Sequence, residues 1–86
     1  MNDYELNFPC EYPVRVIGLD EDGFADFVMA VVRRHVPDLL PGDFSTRLSG
    51  GKKYISVSVK FIAESRQQVD VLYAELAKDG RVKVAF

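Results

Sequence analysis

The sequence predicts an α+β domain with the element order β-α-β-β-α-β: a four-stranded antiparallel sheet carrying two helices on one face. Three observations carry this expectation. Residues Phe44–Leu48 and Tyr54–Ala63 alternate between apolar and polar side chains, as strands wetted on one face do. Residues 24–35 and 69–76 instead repeat their apolar side chains at helical spacing. Hydrophobic residues make up 48% of the 86, with twelve valines among them, which favours β structure and a core that folds without staples. A chain of this length allows one domain with one modest core.

The first strand is read over residues 12–17, with Pro13 near its start because proline cannot donate to a ladder. Gly18 releases the chain into Leu19-Asp20-Glu21-Asp22-Gly23, a turn rich in N-cap residues. Phe24, Phe27, Val28, Val31 and His35 then fall on one face of a helix, with acids at its entrance and Arg33 and Arg34 near its exit, matching the helix dipole. Pro37 stops it, and residues 39–43 form a connecting loop. The second and third strands are joined by Ser49-Gly50-Gly51-Lys52, where glycine reaches the positive φ that tight hairpins need. Ser65-Arg66-Gln67-Gln68 is a capping box opening a second helix with Val69, Leu72, Tyr73 and Leu76 on its apolar face, and Gly80 is placed to cap its end. Residues 81–86 close the chain as a fourth strand.

This order is the split βαβ, or ferredoxin-like, arrangement, with right-handed crossovers. Residues 1–8 read as a polar arm and 9–86 as the domain. The arm lacks the basic and apolar regions of a secretory signal, and the longest apolar run, residues 27–32, is far too short to span a membrane. One cysteine excludes an internal disulfide and, with one histidine, any single-chain zinc or iron–sulfur ligand set. A cytoplasmic location is expected, with no membrane association, no metal and no cofactor.

The helices should cover a sheet face made of Val14, Val16, Val57, Val59, Phe61, Val82 and Val84, leaving the other face open. If alternation holds, the open face displays Arg15, Arg47, Lys60, Arg81 and Lys83, with Tyr54 and Ser45, Ser49, Ser56 and Ser58, and no acid. The formal charge of −2, from 11 basic and 13 acidic residues, then conceals a polarised molecule. Such a face attracts an anionic metabolite, an acidic protein surface or, as an alternative, nucleic acid. It also suits a sheet face that is simply solvated and resists aggregation. RNA recognition on this fold needs stacked aromatics on the central strands, and only Tyr54 qualifies.

Other motifs point to structure rather than chemistry. The turn after the first strand lacks the arginine cradle of an acylphosphatase, the two cysteines of a copper chaperone and the later ligands of a calcium loop. Residues 49–53 lack phosphate-loop spacing and lie in a hairpin. Cys10 and His35 should lie near the same end of the sheet, but a helix C-terminus opposes thiolate formation, which speaks against a thiol-dependent enzyme.

Phe8-Pro9-Cys10 followed by Pro13-Val14-Arg15-Val16-Ile17-Gly18 resembles the opening of the YbeD-like family, small bacterial proteins of unknown function. Val32-Arg33-Arg34-His35-Val36-Pro37, Ser49 with Tyr54-Ile55-Ser56-Val57, and Leu72-Tyr73-Ala74-Glu75-Leu76 extend the resemblance over residues 8–86. Arg15 stands where a lysine is common and keeps the charge. The resemblance implies a fold similar to ACT regulatory domains, a bacterial cytosol and a link to lipoate regulation, and it brings no catalytic residues. ACT-like domains bind small metabolites at dimer interfaces near the turn where Gly18 sits. The expected function is therefore a non-enzymatic regulatory or interaction module, able to form a homodimer, that engages a small anionic metabolite or a protein partner.

Overall fold

The structure is a computed structural model that describes residues 7–86; most of the polar arm expected over residues 1–8 lies outside the described residues. Its elements are β1 (Cys10–Leu19), α1 (Phe24–His35), a 3-10 turn (Pro41–Asp43), β2 (Phe44–Leu48), β3 (Tyr54–Ala63), α2 (Arg66–Ala77) and β4 (Val82–Ala85). The strands lie in the order β2-β3-β1-β4, with every neighbouring pair antiparallel. This is the expected ferredoxin-like sandwich. Val14 and Val16 of β1, Val57, Val59 and Phe61 of β3, Phe24, Val28, Val31 and Val32 of α1, and Val69, Leu72 and Leu76 of α2 are all buried between the layers. Tyr73 of α2 meets Tyr12 of β1, and burial first, then the neighbouring Tyr12, push its phenol up to about 12.

Several local devices differ from what the residue types suggest. No side chain caps α1: its N-cap is Gly23 at φ 69, following Asp22 at φ 52, so two successive left-handed residues turn the chain and glycine suits the second. In the β2–β3 connection the positive φ belongs to Lys52 (60°) and not to Gly50 or Gly51. The turn is held instead by Lys52 N–H donating to the Ser49 carbonyl (2.9 Å) and Tyr54 N–H to Ser49 Oγ (3.2 Å). Gly80 does not cap α2, which ends on Lys78 in a right-handed conformation; Lys78 N–H donates to the Glu75 carbonyl and Asp79 N–H to the Leu76 carbonyl (both 3.2 Å).

The α2 entrance follows the sequence more closely. Gln68 N–H donates to Ser65 Oγ (3.2 Å), as a capping box requires. The Gln68 side chain then does something different: Oε1 accepts from Glu64 N–H (2.6 Å) and Nε2 donates to the His35 carbonyl at the end of α1 (3.1 Å). One amide therefore ties the start of one helix to the end of the other. Glu75 adds a second tie, accepting from Arg34 and lying 2.8 Å from His35 Nε2.

Strand β4 corrects the expected core face. Gly18 pairs with Val82 but Ile17 pairs with Val84, so one extra residue, Lys83, is inserted and the alternation shifts. Val82 and Ala85 pack against the core, while Val84 pairs in phase with the open face and is 46% exposed. An expectation that treats residues 82 and 84 as one face fails because a bulge breaks the period of two.

Candidate functional site

Alternation on β1 and β3 brings a row of side chains across the whole open face. Ser45 pairs with Ser58, Ser58 with Arg15, and Arg15 exchanges both backbone hydrogen bonds with Phe86 (2.6 and 2.8 Å). A second row, Arg47–Ser56–Ile17–Val84, lies beside it, and on its other side Lys60 faces Pro13. In these two rows β3 contributes only hydroxymethyl groups, Ser56 and Ser58, between larger neighbours. The result is a trough of about 510 Å³ lined by Pro13, Arg15, Asp43, Ser45, Ser58, Lys60 and Phe86.

The charges in the trough are held differently. Arg15 Nε donates to Ser58 Oγ at 3.3 Å, and its guanidinium lies 5.9 Å from the centroid of the Phe86 ring. The hydroxyl and the ring orient this cation without neutralising it. Among the described residues, no carboxylate lies within ion-pair distance of Arg15, Arg47 or Lys60. The face does carry acid, contrary to expectation: Glu11 pairs with Ile62 in the same phase, and Asp43 lines the trough while accepting from Leu40 N–H (2.8 Å). It is also more apolar than expected, since Ile17, Ile62, Val84 and Phe86 share it.

Of the residues singled out from sequence, Arg15 and Lys60 line the trough, and Arg47 stands in the adjacent row. Tyr54 pairs with Leu19 at the hairpin end, with Lys53 Nζ 5.6 Å from its ring centroid. Lys83 is the exposed extra residue of the bulge.

Arg81 is not part of the open face at all. Its guanidinium lies 5.3 Å from the ring centroids of both Phe24 and Phe27, donates through Nη1 to the carbonyls of Glu21 and Asp22 (3.0 and 2.9 Å), and pairs with the Asp79 carboxylate (2.8 Å). Hydrogen bonds from the Arg81 side chain and N–H hold the Asp79 carboxyl down to about 2, and the same pairing raises Arg81. The residue locks the entrance of α1 to the exit of α2.

Gly18 also has a packing role. A Cβ there would lie 2.4 Å from Phe24 Cζ and 2.6 Å from the Arg81 carbonyl oxygen, so the aromatic ring fills the space that a side chain would need. His35 bonds to Glu75 and not to Cys10, which pairs with Ala63 at the start of β1. Among the described residues no cluster of histidine, cysteine and carboxylate side chains is built to hold a metal, and no helix is long and apolar enough to cross a membrane.

Sequence reasoning missed Phe86, Pro13 and Asp43. Phe86 carries no signal of its own, because the bulge at Lys83 decides which face it joins.

Comparison with known proteins places this geometry. The family described as "Protein of unknown function (DUF493)" matches residues 3–86. A UPF0250 protein of Shewanella loihica is 43% identical over 79 residues, covering 91% of this chain and 86% of its own. One of Ectopseudomonas mendocina is 39% identical over the same length and coverage. Among solved structures, HP0495 of Helicobacter pylori superposes with a TM-score of 0.68 at 15% identity, over 94% of this chain and 85% of that one. The ACT domain of a Chlorobium tepidum GTP pyrophosphokinase gives 0.63 at 15% identity, over 88% of this chain and 94% of that one, which shows a shared fold. With an ACT-like sandwich and relatives identical at about two residues in five over most of their length, the chain belongs to the DUF493 (UPF0250, YbeD-like) family of bacterial proteins of unknown function.

Proposed function

We propose that this protein is a non-enzymatic binding module whose open-face trough receives a small anionic ligand, a carboxylate with an apolar body. The observation that carries this reading is the row Ser45–Ser58–Arg15–Phe86 beside Lys60: two cations without an acidic partner among the described residues, two hydroxyls and one aromatic wall around about 510 Å³. The cations and hydroxyls match a carboxylate head, and Phe86 and Pro13 match an apolar remainder. The regulatory link to lipoate that the resemblance brings falls in this class, since lipoate is a carboxylate with an apolar tail. The ACT-like fold and the hydrogen bond of His35 to Glu75, not to Cys10, support a binding role over a catalytic one. The mixed face, with Glu11 and Asp43 on it and Arg81 removed from it, suits a small anion better than a nucleic-acid backbone.

Titration of the labelled protein with octanoate and with citrate at low salt, followed by amide chemical shifts, tests this. Shifts should centre on Arg15, Ser58 and Lys60, octanoate should bind more tightly than citrate, and the charge reversals Arg15→Glu and Lys60→Glu should each weaken binding about tenfold or more, the equivalent of one charge-assisted contact. Shifts centred elsewhere, or binding unchanged in both variants, would discard the trough.

A further inference from the structure

The open face changes sign along its length. Successive rows across β1 and β3 run from Ile17–Ser56 through Arg15–Ser58 and Pro13–Lys60 to Glu11–Ile62. Arg47 extends the first of these rows and Ser45 the second, while Asp43, two residues before Ser45, lines the trough together with Lys60. The first two rows therefore carry two cations, Arg47 and Arg15, and no acid. The last two set one cation, Lys60, against two carboxylates, Asp43 and Glu11, so the side-chain charge passes from +2 to −1. From the Arg15 row to the Glu11 row is about 13 Å, four residues of extended chain.

Both ends are held. Asp43 Oδ2 accepts from Leu40 N–H (2.8 Å) and Asp43 N–H donates to the Leu40 carbonyl (2.9 Å), so the 3-10 turn keeps this carboxylate from swinging towards Lys60. Among the described residues neither Asp43 nor Glu11 reaches ion-pair distance of a cation. At the other end Ser58 and the Phe86 ring orient Arg15. Ile62, 55% exposed, supplies an apolar surface at the acidic end.

We infer that the trough selects by charge at the tail of its ligand, with Asp43 as the specificity-determining residue. A monoanion whose head seats at Arg15 and Ser58 runs its apolar tail past Pro13 and Lys60 towards Ile62. A dianion of the same length is disfavoured, because its second negative group meets Asp43 and Glu11 with a single ammonium between them. The reverse orientation would place the head against the two carboxylates and leave Arg15 facing an alkyl chain. This inference rests on the anion-binding reading and narrows its ligand to monocarboxylates.

Octanedioate and its monomethyl ester differ by one charge at the tail and test the selection. Amide shifts of Arg15, Ser58 and Lys60, followed at low salt, give both dissociation constants. In the wild type the monoester should bind about tenfold more tightly than the diacid, about threefold for each exposed carboxylate. Asp43→Asn keeps an acceptor for Leu40 N–H. It should narrow the gap to about threefold by tightening the diacid, with the monoester moved by less than about twofold. Glu11 caps no turn and gives an independent variant: Glu11→Gln should narrow the gap likewise, and the two substitutions together should bring the ligands near parity. A gap equally wide in the wild type and both variants overturns the selection and leaves the trough as an anion site. If neither ligand shifts the three amides, the anion-binding reading falls and the selection falls with it.

Discussion

Gly18, expected near a ligand site, has a packing role in this structure. The space above its Cα is taken by Phe24, whose ring lies beneath the Arg81 guanidinium, so glycine, ring and cation form one stack at the turn leading into α1. Gly18→Ala should cost about 2 kcal/mol, the usual range for forcing an extra carbon into a packed core, read as a lower urea midpoint at unchanged slope. If Gly18 instead served mainly to admit a ligand, the substitution would leave stability alone. The neighbouring Asp79 supplies a pH signature. Its carboxyl titrates near 2 in the folded chain and near the ordinary 3.8 when unfolded, because Arg81 binds the ionised form. A depressed folded value means that the stabilisation is complete above the unfolded value and is lost as pH falls from about 4 towards 2. Asp79→Asn should therefore flatten the acid limb of stability over that window while leaving its shape above pH 5 unchanged; an acid limb equally steep in the variant would show that other carboxylates set it.

At the scale of elements, the periodic stretches were legible and the joints were not. The apolar spacing of residues 24–35 and 69–76 and the alternation of residues 54–63 predict α1, α2 and β3 within a residue or so, since burial on one face writes itself into the sequence. Turn chemistry was less legible. Glycines 50, 51 and 80 suggested left-handed positions that Lys52 took over or that proved unnecessary, because neighbouring hydrogen bonds decided the backbone. Gln68 was readable as half of a capping box but not as a bridge to His35, which requires knowing that the two helix ends meet. Gln68→Ala should cost about 1 kcal/mol, and Gln68→Glu, which can still accept from Glu64 N–H but cannot donate to the His35 carbonyl, should recover only part of it in thermal or urea unfolding.

For the whole molecule, the net charge of −2 is a poor guide to what the surface does. Three of the five expected cations were legible: alternation in β1 and β3 placed Arg15 and Lys60 where the trough forms, and alternation in β2 placed Arg47 beside it. The rest turned on two long-range facts, the bulge at Lys83, which moves Val84 outward and Ala85 inward, and the aromatic pair that captures Arg81.

The trough and the core are also closer than a description by faces suggests. Ser58, at the floor of the trough, is flanked in sequence by Val57 and Val59, whose side chains lie buried on the far side at 1% and 5% exposure. A single layer of peptide groups is the whole partition between the wet side and the dry side. Whatever settles on Ser58 presses on a diaphragm one backbone thick, with α1 resting directly against its other surface. The valine methyl groups beneath would feel an occupant they never touch.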